Sequence, residues 1–141
     1  MREIIFKAKT KVIAGYDYNN GKEDGEWVKG YLYNDIGCWK IKQFEFDRAD
    51  YVDYEVDPET VCQYTGMTDI NDAKIFEYDI IQMDGYYYFV KYNNNTASFV
   101  ICNIDSNLEE TNFIDWYHGA VEVVGNIFND IKYTNVNYHT P

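Results

Sequence analysis

The sequence predicts a mostly β protein, a small antiparallel barrel or sandwich capped by one helix. Three observations carry this. Aromatic residues make up 18% of the chain, and 15 of them are tyrosines, whose rings pack well on a pleated surface. Short alternating runs recur about every ten residues, with turn dipeptides between them. Only two prolines interrupt 141 residues, a length suited to one domain with one core.

The elements follow in order. "REIIFKAKTKVI" opens with β-branched residues flanked by charge and reads as a strand. Asn20-Gly21 and Asp24-Gly25 are strong turn signals. "WVKGYLYN" alternates loosely. "CWKIKQFEF" sets Trp39, Ile41 and Phe44/Phe46 against Lys40, Lys42 and Glu45, and the slip near Gln43 suggests a bulge. "YVDYEV" alternates again. In "DPETV", Asp57 caps one helical turn, Pro58 suits its first position and Glu59 its positive end. "VCQYT" and "DIIQM" read as strands. Asp84-Gly85 turns the chain into "YYYFVKY", where Tyr87 faces away from Tyr86 and Tyr88. "ASFVICNI" follows. "SNLEETNFIDWYHG" is expected to be the one sizeable helix, with Leu108, Phe113, Ile114 and Trp116 inward and Gly119 as its stop. "AVEVVGNIF" is a last strand. The expected organisation is a single domain over 1–128 and a polar tail over 129–141.

The net charge of −12 and the lack of a lysine or arginine run argue against direct nucleic-acid binding. No apolar run approaches a membrane helix. Three widely spaced cysteines, Cys38, Cys62 and Cys102, without a Cys-x-x-Cys, point to a reducing cytoplasm and to buried thiols.

The acid-rich stretch from Asp69 to Asp79 invites a metal-site reading. Aligned on a calcium-binding loop, it puts Ala73, Lys74 and Ile80 where a ligand, a glycine and a bidentate glutamate are required. Asn71-Asp72 reads instead as a hairpin turn. His118 and His139 are the only histidines, and no spacing pairs either with Cys62 or Cys102. Glu77/Asp79 and Glu109-Glu110 are unremarkable as acid–base pairs in so acidic a chain. No phosphate loop, dinucleotide fingerprint or zinc spacing occurs, so neither cofactor nor metal is expected and the chain reads as non-catalytic.

Four elements in order resemble the YopX family of small phage and prophage proteins. They are Trp27, Val28, Gly30 and Tyr31; then Val56 to Gly66; then Asp69 to Ile80; then Glu122 to Ile127. The opening "MREIIFKA" is similar as well. The resemblance implies a β pseudo-barrel capped by a helix, a phage origin and a bacterial host cytoplasm, but no activity. Its motif residues are Trp27, Gly30, Tyr31, Asp57, Pro58, Gln63, Tyr64, Thr65, Gly66, Asp69, Asn71, Glu77, Asp79, Gly125 and Asn126, expected to set strand ends and turns. Gly66 is expected in a conformation that a β-carbon would strain.

Two departures from the family pattern stand out. Asn71-Asp72 replaces Asn-Gly, and Glu77-Tyr78-Asp79 replaces Glu-Gly-Asp. A tyrosine cannot supply an obligatory positive φ, so the position is expected either to be unstrained in this protein or to lie in a loop that differs locally. The helix start that many relatives carry after Phe128 is also missing.

The expected function is that of a phage accessory protein binding a protein partner through its surface, with homo-oligomerisation left open and no membrane contact. The alternative is an acidic inhibitor that imitates nucleic acid and occupies a host DNA-binding enzyme.

Overall fold

The computed structural model describes residues 3–12, 15–16, 18–104 and 109–129. The expected tail beyond Asn129, with His139, and Leu108 at the expected helix start lie outside these residues. The chain divides into two compact units, Met1–Tyr64 and Thr65–Pro141. The mostly β expectation holds: the strands form two antiparallel sheets, and neither closes on itself into a barrel.

In the first unit the strands are β1 (Phe6–Lys9), β2 (Trp27–Asp35), β3 (Cys38–Glu45) and β4 (Asp50–Glu55), followed by β5 (Cys62–Thr68), which begins there. Their order is β4-β3-β2-β1-β5. β2 serves two partners. Its first half pairs with β1, from Trp27↔Lys9 to Gly30↔Phe6, and its second half with β3, from Tyr31↔Lys42 to Asp35↔Cys38. Gly30 stands at the handover, where the backbone of β3 comes so close that an added β-carbon would lie 2.1 Å from the Lys42 carbonyl oxygen. No side chain fits there, which is the physical reason for glycine at this place.

Alternation then builds the core of this unit. Ala8, Val28, Ile41, Tyr54 and Val56 are buried, with Phe6, Leu32, Val52 and Val61 packed against them. The expected one-turn helix is present as a 3-10 turn over Pro58–Thr60, where Asp57 Oδ1 accepts from Glu59 N at 3.0 Å. Thr60 Oγ1 accepts from Lys9 N at 2.9 Å and locks that turn to β1.

The second unit contains the end of β5, then β6 (Lys74–Phe76), β7 (Asp79–Met83), β8 (Tyr86–Asn93), β9 (Ser98–Asn103), β10 (Glu110–Asn112), α1 (Phe113–Trp116) and β11 (Glu122–Asn126). Five of these strands form a sheet in the order β10-β9-β8-β7-β11. Both faces of this sheet are covered. Ile81, Val90 and Ile101 pack with Ile75, Phe113 and Val121 on one face, and Ile80, Phe89, Val100 and Cys102 pack with Ile127 on the other. The unbroken apolar run Ile80-Ile81 follows from this, since a strand covered on both sides has no polar face. Tyr87 and Tyr88 take opposite faces as expected, while Tyr86 is exposed.

The expected 14-residue helix is corrected: α1 is four residues long. Glu110 to Asn112 pair with β9 instead. Glu110 is held there by Lys91 Nζ at 2.8 Å and by Asn93 Nδ2 at 3.0 Å. Asn112 then caps α1 by accepting from Ile114 N. Cross-strand pairing outweighed a helical pattern too short to stand alone. No described helix is long and apolar enough to cross a membrane.

Candidate interaction surface on the first unit

The acidic stretch that looked most like a site is built as architecture. Asp69 Oδ1 accepts from Asn71 N at 2.8 Å and Ala73 N at 2.9 Å, and its Oδ2 accepts from Val123 N at 2.9 Å. Burial pushes this carboxyl up, but the three N–H donors outweigh it and hold it below the usual range. The turn expected at Asn71-Asp72 is present, with Asp72 in the left-handed region at φ 66°. Asp79 Oδ2 accepts from Phe76 N at 2.8 Å, and Oδ1 accepts from Asn126 Nδ2 at 3.0 Å. Among the described residues, no three His, Cys, Asp or Glu side chains form a group that could hold a metal.

Tyr78 corrects an expectation. It stands at φ 68°, so the glycine position does require the left-handed region and tyrosine adopts it. The turn is held by Tyr78 N donating to Val90 O and by Tyr78 O accepting from Ile127 N, at 2.7 and 3.0 Å. The Tyr78 ring packs edge-on against Phe128 at 5.3 Å.

The other motif residues are spread along the fold. Trp27 lies under Lys7 and Lys9, whose Nζ atoms are 5.0 and 5.6 Å from its ring. Gln63 pairs with Phe6, and Tyr64 N donates to Ile5 O. Thr65 Oγ1 donates to Ile75 O. Gly66 has φ 90°, as expected. Gly125 follows the bulge in β11, and Glu77 opens the turn, Glu77-Tyr78, that leads to Asp79. Of the whole set, Asp79 and Asn126 are joined by a side-chain hydrogen bond.

The cysteines divide. Cys62 and Cys102 are buried as expected, but Cys38 is exposed at the β2–β3 hairpin, a correction to its expected burial. Cys62 Sγ donates to Thr60 O at 3.2 Å. Burial pushes the Cys102 thiol up to about 11. The Cys38 thiol is raised by its hydrogen bond to Glu55 and then by burial. Neither geometry favours a thiolate. His118 Nδ1 accepts from Ala120 N, which closes a turn after α1.

The feature missing from the sequence reading lies on the outer face of β2, β3 and β4. The expected bulge near Gln43 is absent. β3 and β4 pair without a break from Lys40↔Glu55 to Glu45↔Asp50. Period-2 alternation therefore carries Phe44 to the same face as Lys40 and Lys42, away from Ile41. Tyr31 from β2 and Tyr51 from β4 join it. Tyr31, Phe44, Phe46 and Tyr51 are 39–88% exposed. Phe44 packs edge-on with Phe46 at 5.0 Å and with Tyr51 at 5.2 Å, and Tyr31 lies 6.3 Å from Tyr51.

Beyond the aromatic end, the same face carries alternating charge. Lys42 Nζ is 3.0 Å from Asp53 Oδ1, and Lys40 Nζ is 3.1 Å from Asp35 Oδ2. Hydrogen bonds from Lys42 and Tyr33 hold the Asp53 carboxyl below its usual range. Burial, then the bond to Asp53, push the Tyr33 phenol up to about 12. The Asp35 bond raises Lys40 and keeps it an ammonium. A cleft of about 290 Å³ lies alongside, lined by Tyr16, Tyr18, Asn19, Asn20, Lys40, Asp53 and Glu55. Asn19 and Asn20 donate to the outward carbonyls of Glu55 and Asp53 at 2.7 and 2.6 Å, which blunts the open edge of β4.

The YopX protein family model matches residues 14–132. The chain belongs to the YopX family. All fifteen motif residues fall inside the matched span, whereas the opening "MREIIFKA" lies before it. None of the curated proteins matches this YopX chain.

Proposed function

We propose that this YopX-family chain is a non-catalytic protein-interaction module that binds a partner protein through the outer face of β2–β4. The observation that carries the reading is the exposed ring cluster of Tyr31, Phe44, Phe46 and Tyr51. Contiguous exposed aromatics are costly in water and concentrate at binding surfaces. The flanking ion pairs Lys42–Asp53 and Lys40–Asp35 supply the polar rim that such surfaces carry. The reading includes the phage origin and bacterial cytoplasm implied by the family resemblance.

An acidic inhibitor that imitates nucleic acid has only the net charge of −12 in its favour. A mimic needs uncompensated carboxylates in rows, and the acids on this face alternate with lysines. A pull-down with the tagged chain, washed at low and at high salt, separates the two. A module anchored by buried rings keeps its partner at high salt, while release of all partners by salt contradicts the module.

A further inference from the structure

The outer face that carries the rings runs on past β2 to β1. Ala8 and Val28 are buried with Ile41, so alternation turns Lys7 and Lys29 outward. They stand beside one another in the β1–β2 register. Lys7 Nζ lies over the outward Trp27 ring, which places it on this face. On β3 and β4, Phe44 stands beside Tyr51, and one step along the strands Tyr31 stands beside Lys42. Continuing that register by one step brings Lys29 level with Phe44. Across this row of the sheet, from β1 to β4, the outward side chains are therefore Lys7, Lys29, Phe44 and Tyr51. Two ammonium groups are followed by two rings. Lysine against ring is a contact the face already makes within itself, since Lys42 Nζ lies 5.8 Å from the Tyr33 ring.

We propose that the protein this face binds is a second copy of the chain, in a closed twofold dimer with the two outer faces packed together. A twofold axis along the strands lays β1 of each copy over β4 of the other, and β2 over β3. The row read backwards is then its own complement. Lys7 of one copy meets Tyr51 of the other, Lys29 meets Phe44, and each contact occurs twice. An acidic partner would answer the lysines and set its carboxylates against the rings. An apolar partner would answer the rings and leave Lys7 and Lys29 desolvated. The same face turned over answers both. The pairs Lys42–Asp53 and Lys40–Asp35 stay closed inside each copy and bring no net charge to the contact. Four strands about 4.8 Å apart and about eight residues long make a footprint of about 500 Å² per copy, short of the about 800 Å² of a standard interface. The dimer is therefore an exchanging one, of micromolar affinity. The inference rests on the reading that this face binds protein, and it names the protein.

The test is sedimentation velocity on the purified full chain, from about 1 to about 500 μM, at low and at high salt. Wild type is expected to pass from monomer to dimer with no larger species. The dimer is expected to persist at high salt, which screens the repulsion between two chains of charge −12. Lys29 is exposed, so Lys29→Glu is expected to leave the melting midpoint unchanged. It puts a carboxylate over each Phe44 ring and is expected to weaken the dimer at least tenfold. Tyr86→Ser, at an exposed ring of the second unit, is expected to leave the dimer as it is. A chain that stays monomeric at every concentration overturns the inference. If that monomer, tagged, still retains a different protein at high salt, the proposed function stands; if it retains none, both fall. Larger species, which mark a head-to-tail contact, a dimer dispersed by salt, a dimer undiminished in Lys29→Glu or one weakened by Tyr86→Ser each overturn the inference as well.

Discussion

Asn126 Nδ2 donates to Asp79 Oδ1 at 3.0 Å across a pair of strands, where both residues are almost wholly buried, 3% and 1% exposed. The same carboxylate receives Phe76 N, so one side chain joins the end of β6 to β11. Asp79→Ala takes a buried acceptor away from Phe76 N and from Asn126 Nδ2. It is expected to cost about 3 kcal/mol, read as a lower urea midpoint at unchanged slope. A cost under about 1 kcal/mol would show that Asp79 is not the tie described.

Asp69 makes acid stability predictable. Its folded carboxyl lies below the ordinary range, because three backbone donors outweigh burial. Its contribution is therefore complete above the unfolded carboxylate value, about 3.9, and is lost as pH falls through the lower folded value. Asp69→Asn should be less stable than wild type at pH 7, and the gap should narrow towards pH 3. Denaturant melts across that range check this. A gap that stays constant would mean that the carboxylate charge is irrelevant.

Two glycines should fail for different reasons. Gly30→Ala forces a β-carbon against the Lys42 carbonyl oxygen and should cost about 3 kcal/mol, since backbone must move. Gly66 has open space around it but a φ of 90°, so Gly66→Val should cost about 1 kcal/mol or slightly more. Thermal melts of both variants give the order. A Gly66 variant that melts like wild type, or lower than Gly30→Ala, contradicts it.

Tyr78 holds a left-handed conformation that is paid for by its ring contact with Phe128. Tyr78→Ala keeps the strain and loses the ring, for about 2 kcal/mol. Tyr78→Gly loses the ring but also the strain, and should recover about 1 kcal/mol of that. The expected stability order is wild type, then Gly, then Ala. Finding Ala at least as stable as Gly would contradict the strain.

Much of the fold was legible because local chemistry decided it. Asn20-Gly21, Asp84-Gly85 and Asp57-Pro58 each force one backbone geometry, and each turned as expected. The Tyr78 turn is hard to read from sequence, because what holds a tyrosine in the left-handed region is a pair of distant backbone hydrogen bonds, from Tyr78 N to Val90 O and from Ile127 N to Tyr78 O. The helix before Gly119 was overextended because nothing in "EETN" announces that Lys91 and Asn93 will hold Glu110 on β9. The candidate surface is hidden when Phe44 and Phe46 are grouped with Trp39 and Ile41 across a bulge near Gln43. The alternation Lys40-Lys42-Phe44 already placed Phe44 outside, and an invented bulge removed the signal.

The most direct measurement replaces both outward phenylalanines, Phe44→Ser with Phe46→Ser, and reads stability and partner retention on the same preparation. Both rings lie on the exposed face, outside the buried cluster of Ala8, Val28, Ile41, Tyr54 and Val56, and surface substitutions of this kind change stability by about 0.5 kcal/mol or less. The account predicts a melting midpoint within about 2 °C of wild type and loss of the partner retained by wild type at high salt. A variant that melts much lower while keeping its partner would make these rings structural and contradict the interaction surface.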